Sequence, residues 1–205
     1  ANTGDDFEHY GLTICPDTDT LLYTLAGLDN PQLGWGRADE SWAFMQTLAG
    51  LGGADWFRLG DRDLALHVLR SHRLRAGEAL SAITDDLRQR FGIGPRILPM
   101  SDDPVRTRIG TDQGWLDFQD WFVRLRAEPL ARAVQFAGVE KARAQPALLD
   151  ALQAKPRGIV LCPSNPFISI EPILALPGLR DAIKASGAPV VAVSPIIAGQ
   201  AVKGL

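Results

Sequence analysis

Two textures alternate along the chain. Short apolar runs closed by proline or glycine read as strands, and stretches with apolar positions three and four apart read as helices. Gly11–Cys15 predicts a first strand. Residues 17–26 predict a first helix, with Leu21, Leu22 and Leu25 as its buried stripe, Asp17 or Asp19 as its N-cap and Gly27 as its stop. Trp42, Met45, Leu48 and Ala49 share one face of a helix from about 39 to 49. The next helix opens at Asp61, read as its N-cap, and runs to about His72 with Leu64, Val68 and Leu69 along one side. Leu80, Ile83 and Leu87 space another from Ser81, a candidate cap, to Arg90. Residues 35–95 therefore read as an all-helical insert.

Beyond the insert the period changes. Arg96–Met100 reads as a short strand. Val105, Thr107 and Ile109 alternate with Arg106 and Arg108, and the chain turns at Asp112-Gln113-Gly114 into Trp115–Phe118, a small antiparallel hairpin. Gln119–Arg126 continues extended or as a short helix, Val134–Phe136 is another strand, and a helix follows from about 146 to 152. Gly158–Cys162 and Pro189–Val193 are continuous apolar runs of the kind buried on both faces of a parallel sheet, with a helix over 176–185 between them. That is a βαβ unit, and the fold class is α/β.

The 205 residues are 46% hydrophobic with net charge −3, an ordinary soluble composition that carries no electrostatic footprint for nucleic acid or an anionic membrane. No apolar run approaches the ~18 residues of a membrane span. Cys15 and Cys162 lie far apart without metal-ligand spacing, which fits a reducing, cytoplasmic compartment. The chain opens at Ala1 without methionine and ends at Ala201–Leu205 without a closing element, so further sequence, including a first strand and its loop, is expected at both ends. There is no Walker loop, no Gly-x-Gly-x-x-Gly and no zinc spacing.

Chemistry concentrates at the start. Asp5, Asp6, Asp17 and Asp19 fall within about fifteen positions, on either side of the first strand. Hard divalent cations take carboxylate oxygens, so these clusters are expected to face one pocket and hold such an ion; helix capping is the competing role for Asp17 and Asp19. The turn Arg58-Leu59-Gly60-Asp61-Arg62-Asp63 reads either as a self-paired solvated face or as an arginine clamp. His67 and His72, five apart, read as packing or surface residues, and Asp102 and Asp103 as turn residues. Ser164, Asn165 and Ser194 stand at carboxyl ends of the two apolar strands, where open α/β sheets bind ligands; a proline-stiffened loop is the plainer reading.

Seven stretches in order resemble the 2-phospho-L-lactate transferase family of coenzyme F420 biosynthesis. They are Asn-Thr-Gly-Asp-Asp (2–6), Cys-Pro-Asp-Thr-Asp-Thr (15–20) with Leu-Tyr-Thr-Leu (22–25), Trp-Gly-Arg (35–37), Leu-Gly-Asp-Arg-Asp (59–63), Leu-Pro-Met-Ser-Asp-Asp-Pro-Val (98–105), Pro-Ser-Asn-Pro (163–166) and Val-Ser-Pro-Ile-Ile (193–197). The resemblance implies a Rossmann-like parallel sheet formed by 1–34 and 96–205, carrying the helical insert 35–95. It implies transfer of a phospholactyl or phosphoenolpyruvyl-type group from a guanosine diphosphate conjugate to the ribityl hydroxyl of a deazaflavin, with Mg2+ and release of GMP. Asp5 then matches a catalytic position near the metal, with Asp17 a second ligand. Asp19 matches a catalytic position contacting the acceptor together with Arg58, flanked by Asp61 and Arg62, and Ser164 and Asn165 match the nucleotide side. The family's glycine-rich loop is not in this sequence. A homodimer is an allowed assembly. A competing reading from another class is a nucleotide-sugar-binding regulatory protein of related fold.

Overall fold

A computed structural model describes residues 1–197 and 200–201; Val202 to Leu205, where no closing element is expected, lie outside the described residues. The chain leaves an acidic turn into an antiparallel hairpin, β1 (Phe7–His9) and β2 (Leu12–Ile14). Helix α1 (Pro16–Ala26) starts on proline, whose preset φ and missing N–H suit a first helical position. No side chain caps it, so Asp17 and Asp19 lie inside the first turn rather than at the cap. Gly27 ends it with φ 68°, a left-handed conformation that costs glycine little. The buried face is Asp19, Leu22 and Tyr23, joined by half-buried Ala26, at the i, i+3, i+4, i+7 spacing. Leu21 and Leu25, expected inside, face outward. The expected stripe is rotated because the inward face begins with a carboxylate that has a buried partner.

Helices α2 (Ala43–Gly50), α3 (Asp61–Arg75) and α4 (Leu80–Arg90) follow. Their starts are capped from a distance. The Asp61 carboxylate accepts from Ala43 N (3.2 Å) and Phe44 N (3.1 Å), so it caps α2, not α3. Glu40 returns the favour, accepting from Arg62 N (2.7 Å) and Asp63 N (2.8 Å) at the start of α3. Asp102 caps α4 through Ser81 N (2.7 Å) and Ser81 Oγ (2.8 Å), so Ser81 is capped rather than capping. Along α3 the buried positions are Leu66, His67, Arg70 and Ser71, while Val68 and Leu69 face out. Leu22, Tyr23, Leu66, Ile83, Leu87, Ile93 and Ile97 join α1, α3 and α4 in one core.

Strand β3 (Arg106–Thr111) is the middle of an antiparallel sheet with β4 (Gly114–Asp117) and β5 (Ala131–Ala137), so the predicted hairpin gains a third strand. A π-helical turn at Asp120–Arg124 follows β4. Ile97 and Met100 are buried, and the segment bonds the backbone of Ala1 (Ala1 N to Leu98 O, 2.6 Å; Met100 N to Ala1 O, 2.8 Å), but with a single residue opposite it 96–100 is loop, not strand. Helix α5 (Pro146–Gln153) leads to β6 (Ile159–Leu161); a π-helical turn at Pro166–Ile170, α6 (Glu171–Leu174) and α7 (Leu179–Ala185) then lead to β7 (Val190–Ala192). β6 and β7 are parallel, Val160 opposite Val191, which confirms the βαβ unit. One face, through Ile159, packs on the core of Leu152, Leu176 and Leu179. The other is bare: Val160 is 62% exposed and Val191 57%. The two strands are therefore not buried on both faces. A short antiparallel pair, β8 (Ile196–Ile197) and β9 (Gln200–Ala201), comes last. Among the described residues no helix is long and apolar enough to cross a membrane.

Candidate functional site

The acidic turn is gripped from several sides. Asn2 Oδ1 accepts from Gly4 N (2.8 Å), closing an Asx turn within the segment. Thr107 N, on β3, donates to Gly4 O (2.7 Å). Gln119 Nε2 donates to Asp5 O (3.2 Å), and Asn2 Nδ2 reaches Ile168 O (3.4 Å) in the loop after β6. A Cβ at position 4 would stand 2.6 Å from Thr107 Oγ1 and 3.2 Å from Pro172 Cβ, so only glycine permits this approach.

The grip buries the carboxylates: Asp5 is 8% exposed and Asp6 3%. Burial, reinforced by the negative charge of Asp17, pushes the Asp5 carboxyl up to about 8. Burial pushes Asp6 up to about 7, opposed by the Cys15 thiol and by Arg106 and Arg70. The half-buried Asp17 is also raised by burial, with Asn2 working against the shift. Asp5 Oδ1 and Asp6 Oδ1 have no hydrogen-bond partner. The charged side chains acting on Asp5 are Asp17 and Asp6, both negative. An orphaned oxygen on a buried carboxylate, beside a second carboxylate, is the donor set a hard cation satisfies. The residues thus fit a divalent ion held between Asp5 and Asp17.

A second cluster lies between α1 and α3. Asp19, Asp63 and His67 bring possible ligand atoms within 4.8 Å of one another. This cluster is already neutralised. Arg70, 1% exposed, bonds both oxygens of Asp19, one of them at 3.0 Å from Nη1. His67 lies between the two carboxylates, Nδ1 3.6 Å from Asp19 and Nε2 3.2 Å from Asp63, and Tyr23 donates its hydroxyl to Asp63. Although burial works to raise it, the Asp63 carboxyl is held below the usual range by His67, Tyr23 and Arg70. Burial and the flanking Asp19 and Asp63 push the Tyr23 hydroxyl up. A cation placed here would face the Arg70 guanidinium. Of the two clusters, Asp5 with Asp17 suits a metal, because the α1–α3 network already carries the Arg70 cation, although His67 Nε2 and Arg70 Nε are left there without a hydrogen-bond partner.

Sequence-predicted residues divide accordingly. Asp5 and Asp17 come together, with Asn2 beside both. Asp19 and Arg58 share no hydrogen bond or ion pair among the described residues: Asp19 is taken by Arg70, and Arg58 lies on the Trp42 ring, 4.2 Å from its centroid. Trp35 stands 6.3 Å from Trp42, and a shallow concavity beside them includes Arg37, Glu40 and Asp63. Asp61 is occupied as a cap, and Arg62 is exposed. Asn165 caps the turn after it, accepting from Phe167 N (2.9 Å) and Ile168 N (3.2 Å), with half-buried Ser164 preceding it. That turn carries the carbonyl bonded by Asn2, so the Pro-Ser-Asn-Pro loop does reach the acidic turn. Sequence reasoning missed Asn2, Arg70 and the Asp63–His67 pair. The pair had a signal: His67 is four residues after Asp63, a spacing hidden by comparing His67 only with His72.

Comparison with known proteins gives three findings. The family model described as 2-phospho-L-lactate transferase CofD matches residues 1–204. Proteins called phosphoenolpyruvate transferase are similar over all of this chain: 48% identical in Kitasatospora aureofaciens, 46% in Streptomyces griseus and 46% in Mycobacterium ulcerans. The chain spans 65%, 66% and 64% of those three relatives. Among solved structures, a Bacillus halodurans protein superimposes with a TM-score of 0.61 at 18% identity, covering 94% of this chain and 58% of that one. That likeness concerns the fold alone.

Proposed function

Because the chain belongs to the 2-phospho-L-lactate transferase CofD family, we propose that it is the greater part of a magnesium-dependent transferase of coenzyme F420 biosynthesis, working in the cytoplasm. The donor is a guanosine diphosphate conjugate of a three-carbon acid, and the acceptor is a deazaflavin with a ribityl chain. The relatives' names favour phosphoenolpyruvate over phospholactate as the group carried. Residues 1–34 and 96–205 form the α/β core, and 35–95 form a helical insert that offers Arg58, Arg62 and the tryptophans to the acceptor.

In the reaction an acceptor hydroxyl oxygen attacks the phosphorus bearing the acid, the bond to the guanosine phosphate breaks, GMP leaves, and the hydroxyl proton passes to a carboxylate. Transfer of this kind depends chiefly on positioning and charge stabilisation. A bound Mg2+, held by Asp5 and Asp17, would offset the charge on the pyrophosphate oxygens. Asn2 keeps those two carboxylates adjacent, and Gln119 and Thr107 fix the turn that presents Asp5. Asn165 and Ser164 lie on the loop joined to that turn, on the nucleotide side. Asp19, locked by Arg70, acts through the placement of α1.

The observation that carries this reading is the orphaned, buried Asp5 oxygen beside Asp17, within a chain matched by the family model from end to end. The test is to mix protein, Mg2+ and deazaflavin with each donor and measure GMP. Release of GMP with stoichiometric acceptor product is expected, fastest with the phosphoenolpyruvyl donor. Asp5→Asn is expected to lower turnover by about 10²–10⁴-fold, the range for losing a positioned catalytic group, while the fold stays intact. Binding of nucleotide sugars alone, without deazaflavin, would overturn the assignment.

A further inference from the structure

A cavity of about 100 Å3 lies beside the acidic turn, and neither Asp5 nor Asp17 lines it. Its walls are Thr3 and Asp6 of that turn, Thr13 of β2, Leu74 near the end of α3, Leu80 at the start of α4, and the segment that leads into β3. The cavity therefore sits where the acidic turn meets the seam between α3 and α4. Two of its oxygens are orphans: Asp6 Oδ1 and Thr3 Oγ1 have no hydrogen-bond partner, although the residues are only 3% and 2% exposed. Buried polar atoms are ordinarily paired, so two orphans on one small cavity call for a ligand. An ionised carboxylate oxygen only accepts, so the ligand must bring a donor or a positive charge.

Charge decides between these. Three carboxylates line the cavity, Asp6, Asp102 and Asp103, against one guanidinium, Arg106. Arg143 pairs with Asp103, its Nε 3.3 Å from Oδ2, and Arg106 acts on Asp6. Arg70 also acts on Asp6 but is already paired with Asp19. Asp102 accepts from Ser81 N and Ser81 Oγ, both neutral. One negative charge is left over, which a single monovalent cation balances and a dication overshoots. The available oxygens agree, since Asp6 supplies one carboxylate and Thr3 and the half-buried Thr13 supply hydroxyls. Magnesium demands near-octahedral geometry and sheds water reluctantly, whereas alkali cations accept neutral oxygens as ligands. The space, roughly three water-sized groups, takes such an ion with the waters that complete its shell. We propose that this cavity binds a monovalent alkali-metal cation, held by Asp6, Thr3 and Thr13, which ties the acidic turn to the seam between α3 and α4. The role is structural and stands or falls independently of the transferase reading.

The probes are KCl, NaCl and choline chloride at one ionic strength, without Mg2+, and the readout is the thermal unfolding midpoint of the full chain. A saturable rise over choline is expected in KCl, NaCl or both, about 5 °C once the ion exceeds its dissociation constant a hundredfold; the salt that acts at lower concentration identifies the ion. Its affinity should fall about tenfold in Asp6→Asn and about fivefold in Thr3→Val, the sizes of losing a charged and a neutral partner. Amide chemical shifts at Thr13 and Ser101 should follow the same titration in wild type, which keeps the test decisive if Asp6→Asn does not fold. Asp5→Asn should keep the alkali response while losing the response to Mg2+. Equal midpoints in all three salts with unmoved amides would mean that water alone fills the cavity and would overturn the proposal. An alkali response abolished by Asp5→Asn would overturn it too, by assigning the ion to the Asp5–Asp17 pair.

Discussion

At the scale of single residues the protein concentrates uncompensated charge in one turn and compensated charge in another, and the two behave oppositely when perturbed. Burial pushes the Asp5 and Asp6 carboxyls up to about 8 and about 7, against an ordinary value of 3.8. The folded chain therefore holds protons that the unfolded chain releases between about pH 4 and pH 8. Stability is expected to fall as pH rises through that window, by at most about 1.4 kcal/mol per pH unit for each carboxyl, and to level off above it. Urea unfolding at pH 5 and pH 8 checks this; Asp5→Asn should flatten the slope, and saturating Mg2+ should raise stability at pH 8 in wild type far more than in the variant. The Asp19–Arg70 pair is the reverse case, with both side chains buried and their charges paired. Arg70→Leu leaves Asp19 buried and unpaired, at an expected cost of about 3–5 kcal/mol. The double change Asp19→Leu with Arg70→Leu should recover most of it, since removing both charges removes the desolvation penalty. Recovery smaller than the loss from a second independent core substitution would show that the pair contributes more than neutralisation.

At the scale of elements the sequence pattern located the longer helices and six of the described strands, missed β1, β8, β9 and the short α6, placed a strand at 96–100 where there is loop, and misassigned how elements begin and which way they face. Asp61 looked like the cap of its own helix because aspartate at a helix start usually is. In the structure Asp61 caps α2 and Glu40 caps α3, an exchange between residues about twenty apart that no local pattern announces. The stripes of α1 and α3 were misread for a related reason: their inward faces carry Asp19, His67 and Arg70, and hydrophobic periodicity ignores polar residues that satisfy one another. Gly60 fits the same device, because a Cβ there would collide with the Glu40 carboxylate. Gly60→Ala is expected to displace Glu40, and Glu40→Ala to remove it, each fraying the first turn of α3 at about 1 kcal/mol, the usual loss for a cap. Hydrogen exchange decides it: the amides of Arg62 and Asp63 should lose protection while those near Arg70 keep theirs. The candidate site was legible where its residues are consecutive, as in the 2–6 turn, and illegible where partners come from distant elements, as with Gln119 and Thr107 on Asp5 and Gly4.

At the scale of the whole molecule, separate cores meet around the acidic turn, and the parallel strands stand at the margin of the arrangement. The apolar runs 158–162 and 189–193 were read correctly as a βαβ pair, since continuous Val and Ile with flanking proline is what such strands require. Their burial was not legible, because it depends on what lies against the second face. Val160 and Val191 are cross-strand neighbours there, both more than half exposed, and Val193, two residues beyond Val191, is 47% exposed. Contiguous exposed apolar surface on an open parallel pair is a site of self-association. The chain in isolation is therefore expected to bind a hydrophobic dye and to sediment as a mixture of species at micromolar concentration. Val160→Thr with Val191→Thr keeps β-branching, and so strand preference, while making the face polar. This double variant should sediment as a single species and bind less dye with its unfolding midpoint nearly unchanged, because neither side chain contributes to the core of Leu152, Leu176 and Leu179. A large fall in the midpoint would instead mean that the two valines support the βαβ unit itself, and unchanged self-association would move the sticky surface elsewhere, with the outward Leu21 and Leu25 of α1 the next residues to change.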